Sequence, residues 1–234
     1  LDHAADAIVA AAEKAGVIKP MVPVVIGETL AETKSVFQKI AEERKAPITF
    51  AEIEDSEKYE LDLKGGYQEK NKKTVLATLR ILQQKHWTFS EENIKNGLLQ
   101  VVNNTGLLGR WQVLSEKPKI ICDTGHNKEG LQLVITQLKN EKYLWLHIVL
   151  GVVSDKDLAS VLPLFPRNAI YYFCKPDIPR GMEAKVLASE AKKFGLIGKE
   201  YNSVKEAYLA ANKVAKVEDL IFVGGSTFVV AEVL

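Results

Sequence analysis

The sequence has little cysteine, almost no net charge and no long apolar run, and each shortage closes off a class of protein. Its 234 residues include two cysteines, Cys122 and Cys174, each set in an apolar run (KIIC and IYYFC). Such thiols suit a reduced, buried state in a cytoplasmic protein and speak against a disulfide framework. Thirty-one Lys and Arg against thirty Asp and Glu leave a net charge of +1, so no global field draws the chain to nucleic acid or a membrane surface. Any anion site must be local. No apolar stretch reaches the roughly 18–20 residues of a membrane helix, and the opening LDHAADAIVAAAEKAG lacks the basic-then-apolar layout of a signal peptide. An initiating Met is also missing, and Leu1-Asp2-His3 reads as the end of a strand cut from something longer.

What is present is apolar content of 47%, enough for real cores, over a length that suits two domains. An Ala-rich run after His3 predicts a helix that stops at Gly16. Residues 23–27 predict a strand, residues 30–46 a helix and ITFAEI at 48–53 another strand, an α/β alternation. Residues 57–66 read as loop or short antiparallel strands. A helix over 68–85 then carries Val75, Leu79 and Leu82 on one face, and Ser90 followed by two acids starts another. The Gly- and Asn-rich stretch 103–112 marks a domain boundary. Beyond it the pattern resets: strand 119–122, helix 127–140, strand 144–150, helix 156–164, strand 168–174, helices 182–194 and 203–215, strand 219–223 and a terminal helix. Such a series predicts a parallel sheet covered by helices.

Chemistry concentrates where those strands end. In KIICDTGHNKEG a short apolar run stops at Asp123, and Gly125, His126 and Asn127 lead into a helix. The same residue types also build an ordinary strand-to-helix turn. Three further strand ends, GVVSDKD at 151–157, KPDIPR at 175–180 and GGS at 224–226, fall on the same edge of a parallel sheet, where one ligand would meet several of them. Arg110 in the linker has the planar fork that grips phosphate, although a solvated or domain-bridging role is equally in keeping with its position. Gln68 and Asn71 share a face at a helix start and either cap it or contact a nucleotide. His3 is a metal ligand or a helix-start residue, with no second ligand at a telling spacing.

Several ordered motifs resemble folylpolyglutamate synthase/dihydrofolate synthase, the folate branch of the Mur ligase superfamily. Leu1-Asp2-His3 with EKAGVIKP at 13–20 resembles that family's LDH and EKAGIIKP segments. Gly66-Tyr67-Gln68…Asn71 resembles its G-x-Q-x-x-N, Gly109-Arg110-Trp111 its GRW, and PKIICDTGHN at 118–127 its P-x-x-x-x-DGAHN. The DKD, PR and GS stretches follow in the family's order. The resemblance implies residues 1–108 as the C-terminal part of a Mur ligase central ATPase domain and 109–234 as a Rossmann-like, mostly parallel α/β glutamate ligase domain. It implies a cytoplasmic, monomeric, ATP-dependent carboxylate–amine ligase whose partners are folate or dihydropteroate, L-glutamate and ATP with Mg²⁺, and an acyl-phosphate intermediate. Position by position it assigns His3 to magnesium, Lys14 to a carbamylated lysine and Asn71 to the ATP base. It assigns Arg110 to the phosphates, Asp123 to the ribose, His126 to the phosphates and incoming glutamate, and Ser226 to the loop lining the glutamate side.

Three departures qualify the resemblance. No G-x-x-x-x-G-K-[ST] phosphate loop occurs, so the chain alone is expected to lack ligase activity. The interval from His3 to Lys14 is shorter than the family's by about four residues, roughly one helical turn. Thr124-Gly125 stands where the family has Gly-Ala. A Mur-type peptidoglycan ligase and a non-catalytic nucleotide-binding module are the competing expectations.

Overall fold

The fold comes from a computed structural model that describes the backbone of residues 2–234 and side chains from residue 7 onward. Contacts divide the chain into two units: residues up to Leu61 with Tyr67–Gln100, and Asp62–Gly66 with Val101–Leu234. Residues 101–108 and the short 62–66 detour thus belong with the second unit.

In the first unit, α1 (Asp2–Ala15) runs to the expected Gly16 stop, where Gly16 N donates to Glu13 O at 3.1 Å. Because the helix begins at Asp2, His3 lies on α1 and not at a strand end; its side chain, and the metal role expected of it, fall outside the described residues. Strands β1 (Val24–Ile26) and β2 (Ile48–Phe50) pair in parallel across the crossover helix α2 (Ala31–Glu43). The strand expected over 48–53 stops at Phe50, because Glu54 N donates to Ala51 O and closes a 3₁₀ turn that leaves Ile53 exposed. No strand forms within residues 57–66.

Helix α3 (Gln68–Gln84) buries Gln68, Lys72, Leu76 and Ala77, while Val75, expected inside, is exposed. The inward face is turned because Lys72 can be satisfied indoors: its Nζ donates to Tyr59 O at 2.8 Å and sits 2.7 Å from Glu69 Oε2. Helix α4 (Glu91–Leu99) starts at Ser90 as expected, through a capping box completed by Asn93.

The second unit opens with α5 (Val101–Thr105), β3 (Gln112–Glu116), β4 (Lys119–Cys122) and α6 (Lys128–Lys139). It continues with β5 (Leu146–Leu150), α7 (Leu158–Val161), β6 (Ile170–Cys174), α8 (Ala184–Lys193), β7 (Gly198–Tyr201), α9 (Val204–Val214), β8 (Leu220–Gly224) and α10 (Thr227–Ala231). The sheet order is β3-β4-β8-β5-β6-β7, parallel throughout except for β3. The chain steps outward from β5 to β7, then returns so that β8 lies between β4 and β5; this is the strand-order reversal at which open α/β sheets bind ligands.

Strands β4, β5, β6 and β8 are buried on both faces, which explains their unbroken apolar text. One face packs Cys122, Val149, Cys174 and Val223 against Val204, Ala207 and Ala211 of α9 and Val229 and Val230 of α10. Alternate residues such as Ile121, Ile148, Phe173 and Phe222 point the other way and are fully buried too. Both thiols are buried and unpaired, and desolvation pushes Cys122 up to about 12.

Two strands were not expected. Residues 182–194 and 203–215 read as successive helices, yet β7 lies between them as an exposed edge strand. Likewise β3 is the opposite edge.

At the amino-terminal end of the parallel strands sits a buried polar group. His147 on β5 places Nδ1 2.9 Å from the Tyr172 hydroxyl and Nε2 3.6 Å from Asp219 Oδ2. The longer approach exceeds hydrogen-bond range, so it is no hydrogen bond, and Asp219 acts on the ring only as a nearby negative charge. Asp219 accepts from Trp145 N at 3.1 Å and Lys216 N at 2.7 Å. Burial pushes the His147 pKa below its usual value, and the Asp219 charge opposes that shift without cancelling it.

Candidate functional site

The four loops singled out in the sequence follow β4, β8, β5 and β6, which are neighbours in the sheet. They form one continuous row at its carboxyl edge. Ser154 N and Oγ both bond to Arg180 O, at 2.8 and 3.0 Å, and Met182 N donates to Val152 O at 3.0 Å, so the β5 and β6 loops zip together. Gly225, with φ of +93, lets the β8 loop pass over β5: a Cβ there would lie 2.6 Å from Leu150 Cδ1.

The turn after β4 is organised by Asp123. Its Oδ2 accepts from Trp111 N and its Oδ1 from Gly125 N, both at 2.7 Å. Trp111, in the left-handed region at φ of +50 and 3% exposed, is thereby held in a conformation that costs a bulky residue roughly 1–3 kcal/mol. The resemblance points Asp123 toward a ribose; the structure turns it inward, 1% exposed, where it ties the linker to the turn. A carboxylate engaged by two backbone amides positions its neighbours and offers a ligand no surface of its own.

Those neighbours are Arg110 and His126. Arg110 is half-buried, and its Nη1 donates to Thr124 Oγ1 and to Gly109 O. Thr124 N returns a bond to Gly109 O at 2.9 Å, so the GRW and DTGHN segments form a closed network. His126 is exposed, with Nδ1 3.0 Å from Thr124 O. A carbonyl only accepts, so Nδ1 carries the proton in the neutral ring and Nε2 is the acceptor nitrogen. Asn127 caps α6 by accepting from Gly130 N at 2.9 Å, which sets the positive end of a 12-residue helix beside His126. Next to Arg110 is a cavity of about 150 Å³ lined by Asp62, Lys64, Leu107, Trp111 and Gln112 among others. Small-molecule pockets run to roughly 300–1,000 Å³, so this one takes only part of a ligand.

The remaining expected residues separate into partners and scaffolding. Ser226 is 4% exposed and caps α10 by accepting from Phe228 N at 3.2 Å, so it shapes the loop without lining a site. Asp157 caps α7 through Ala159 N and Ser160 N. Lys14 is exposed in the last turn of α1. Asn71 is exposed on α3 and donates to Gln68 Oε1 at 2.8 Å; Gln68 is buried, so of this pair Asn71 alone faces outward. Among the described residues no three His, Cys, Asp or Glu side chains gather as a metal site. Sequence reasoning named Trp111 and Thr124 only within motifs and gave neither a role, and it left Arg180, which lies over the Phe228 ring at 5.3 Å, without one too. Only the motif that contains Trp111 hinted at its part.

Residues 109–227 match the family model described as Mur ligase, glutamate ligase domain. The dihydrofolate synthase/folylpolyglutamate synthase of Escherichia coli is 30% identical over 95% of this chain and 53% of its own length. Among solved structures, E. coli FolC in complex with DHPP and ADP superposes with a TM-score of 0.77 at 27% identity, over 95% of this chain and 55% of that one. A bifunctional folylpolyglutamate synthase/dihydrofolate synthase with Mn, AMPPNP and L-glutamate bound gives 0.76 at 26% identity, again over 95% and 55%. The chain therefore spans about half the length of the relatives it matches.

Proposed function

This chain belongs to the Mur ligase family, in the branch of the folylpolyglutamate synthases/dihydrofolate synthases, and we propose that it serves ATP-dependent addition of L-glutamate to folate or dihydropteroate. The observation that supports this most is the Asp123-pinned pair of Arg110 and His126, set on a switch-point edge within the matched residues. In that reaction a substrate carboxylate becomes an acyl phosphate, the glutamate amine attacks it, and phosphate leaves. Phosphoryl chemistry of this kind asks mainly for placement and charge neutralisation.

The residues fit an anionic nucleotide. Arg110 is a guanidinium anchored on one side by Thr124, and the positive end of α6 adds partial charge in the same turn. Arg110 neutralises phosphate oxygens. His126, with its Nδ1 proton committed to Thr124 O, presents Nε2 to take a proton from the incoming ammonium group. Asp123 keeps both in place. Asn71 in the first unit contacts the base, and Lys14, once carbamylated, offers oxygen to Mg²⁺, which neutralises phosphate charge when bound. The described residues supply no complete magnesium site. Residues 109–234 act as the glutamate ligase domain and 1–108 as part of the ATPase domain. Because the sequence contains no phosphate loop, the chain alone binds nucleotide weakly and has no ligase turnover. No helix among the described residues is long and apolar enough to cross a membrane.

Ligand-induced stabilisation tests the reading. ADP at about ten times a millimolar Kd stabilises a site by roughly 1.4 kcal/mol, a rise in Tm of a few degrees. That rise is expected in the parent chain and absent in Arg110→Ala; equal rises in both would remove Arg110 from the site, and no rise in the parent would remove the site.

A further inference from the structure

Arg110 is flanked by two residues in the left-handed region, Gly109 at φ of +72 and Trp111 at φ of +50. Each flank is held by one side-chain oxygen. Asp123 Oδ2, just after β4, takes the Trp111 amide, and Gln112 Oε1, on the first residue of β3, accepts from Gly109 N at 2.8 Å. The backbone of Gln112 is itself fixed in the sheet, where it pairs with Cys122. Gly109 passes that fixity on, because its carbonyl accepts from Thr124 N at 2.9 Å and from Arg110 Nη1. No larger residue fits in its place: a Cβ there would lie 2.8 Å from Thr124 Cγ2 and 2.9 Å from Val230 Cγ1.

We propose that Gln112 is a positioning residue for the anion site: by accepting the Gly109 amide it sets the backbone from which Arg110 departs and the carbonyl to which one guanidinium nitrogen returns. The inference rests on the function proposed above, and every residue in it lies in the second unit. A backbone N–H only donates, so Oε1 is the atom of Gln112 that meets Gly109, and the orientation of the side-chain amide is settled. Without that acceptor the residue next to Arg110 is a glycine with no side chain to restrain it. The guanidinium keeps its charge either way. What changes is its placement, and a planar fork grips phosphate by geometry as well as by charge.

Three variants of the full chain, read by amide exchange and by ADP titration, test it. Gln112→Met keeps the length of the side chain and removes the acceptor, so exchange at Gly109 accelerates about fivefold, the loss of one neutral hydrogen bond. ADP binding weakens about threefold or more in the same variant. Gln112→Glu keeps an acceptor of the same reach and leaves Gly109 exchange near the parent rate. Leu114→Ala, on the same strand and packed against the core, lowers Tm but leaves ADP affinity at the parent value, which separates the placement of Arg110 from general stability. Gly109 exchange at the parent rate in Gln112→Met overturns the clasp, as does exchange in Gln112→Glu as fast as in Gln112→Met. Faster exchange in Gln112→Met with unchanged ADP affinity overturns the positioning role, and so does equal weakening of ADP binding in Leu114→Ala. Failure of the parent chain to bind ADP is a different result, since it strikes the proposed function first and the anion-site role of Gln112 with it.

Discussion

The two units use the same α/β vocabulary to very different effect. The second closes a six-stranded sheet between helices on both faces, with β5 and β8 buried along their whole length. The first has, among the described residues, a two-stranded parallel sheet and two small clusters, Ala15, Ile18, Ala41 and Ala46 in one, Tyr59, Leu76 and Leu98 in the other. Parallel pairing is stable when many strands share one buried layer, so the second unit provides the rigid platform. Its carboxyl edge is where a pinned turn can hold Arg110 and His126 ready before a ligand arrives.

The contrast is broken most forcefully from the core. Phe173→Ala, at a fully buried ring stacked on Tyr171, is expected to cost about 3–5 kcal/mol by chemical denaturation. The matching truncation at Ile40, half-buried beside the small cluster of the first unit, is expected to cost well under half of that. Equal costs would mean that the first unit is as well packed as the second. Next in size is Asp123→Ala, which strands the Trp111 and Gly125 amides and should cost about 2–4 kcal/mol in thermal or urea unfolding. Asn71→Ala, on the exposed face of α3, stays within about 0.5 kcal/mol.

These differences follow what was legible in the sequence and what was not. Strands β4, β5, β6 and β8 were readable because strands buried on both faces carry unbroken apolar text. Strand β7, Gly-Lys-Glu-Tyr, is an exposed edge with nothing apolar to announce it, and β3 is half-buried along most of its length. In α3 the inward face was missed because a lysine counts as polar until a carbonyl such as Tyr59 O is known to await it. The loops that gather at the sheet edge were visible as strand ends. Whether Asp123 faces outward or inward was not, since that depends on the Trp111 amide, twelve residues away and held in place only by the tertiary fold. Ser226 shows the converse: the resemblance assigned it to a ligand-lining loop, whereas a serine just ahead of a helix is a favoured cap by local chemistry, and a cap is what the structure makes of it.

A smaller effect separates the two ends of the sheet. The His147 pKa is depressed by burial, so its contribution to stability is present above the ordinary histidine pKa of about 6.5 and is lost as pH falls through the folded value. Tm is therefore expected to decline below about pH 6.5, and His147→Leu to flatten that decline. Identical slopes in the two proteins would show that His147 protonates without cost. Smallest of all is Ile53→Ser, on a side chain with nothing packed over it, expected to change stability by no more than about 0.5 kcal/mol. A larger loss would mean that this surface is covered in solution.

The central claim is that the second unit carries a preformed anion-binding turn, held by Asp123 and presenting Arg110 and His126. Backbone amide NMR of the intact chain during an ADP titration tests it most directly. The account predicts saturable shifts concentrated at residues 109–111 and 124–130, at ligand concentrations in the millimolar range. Shifts confined to other parts of the chain, or none up to about ten times that concentration, would contradict it.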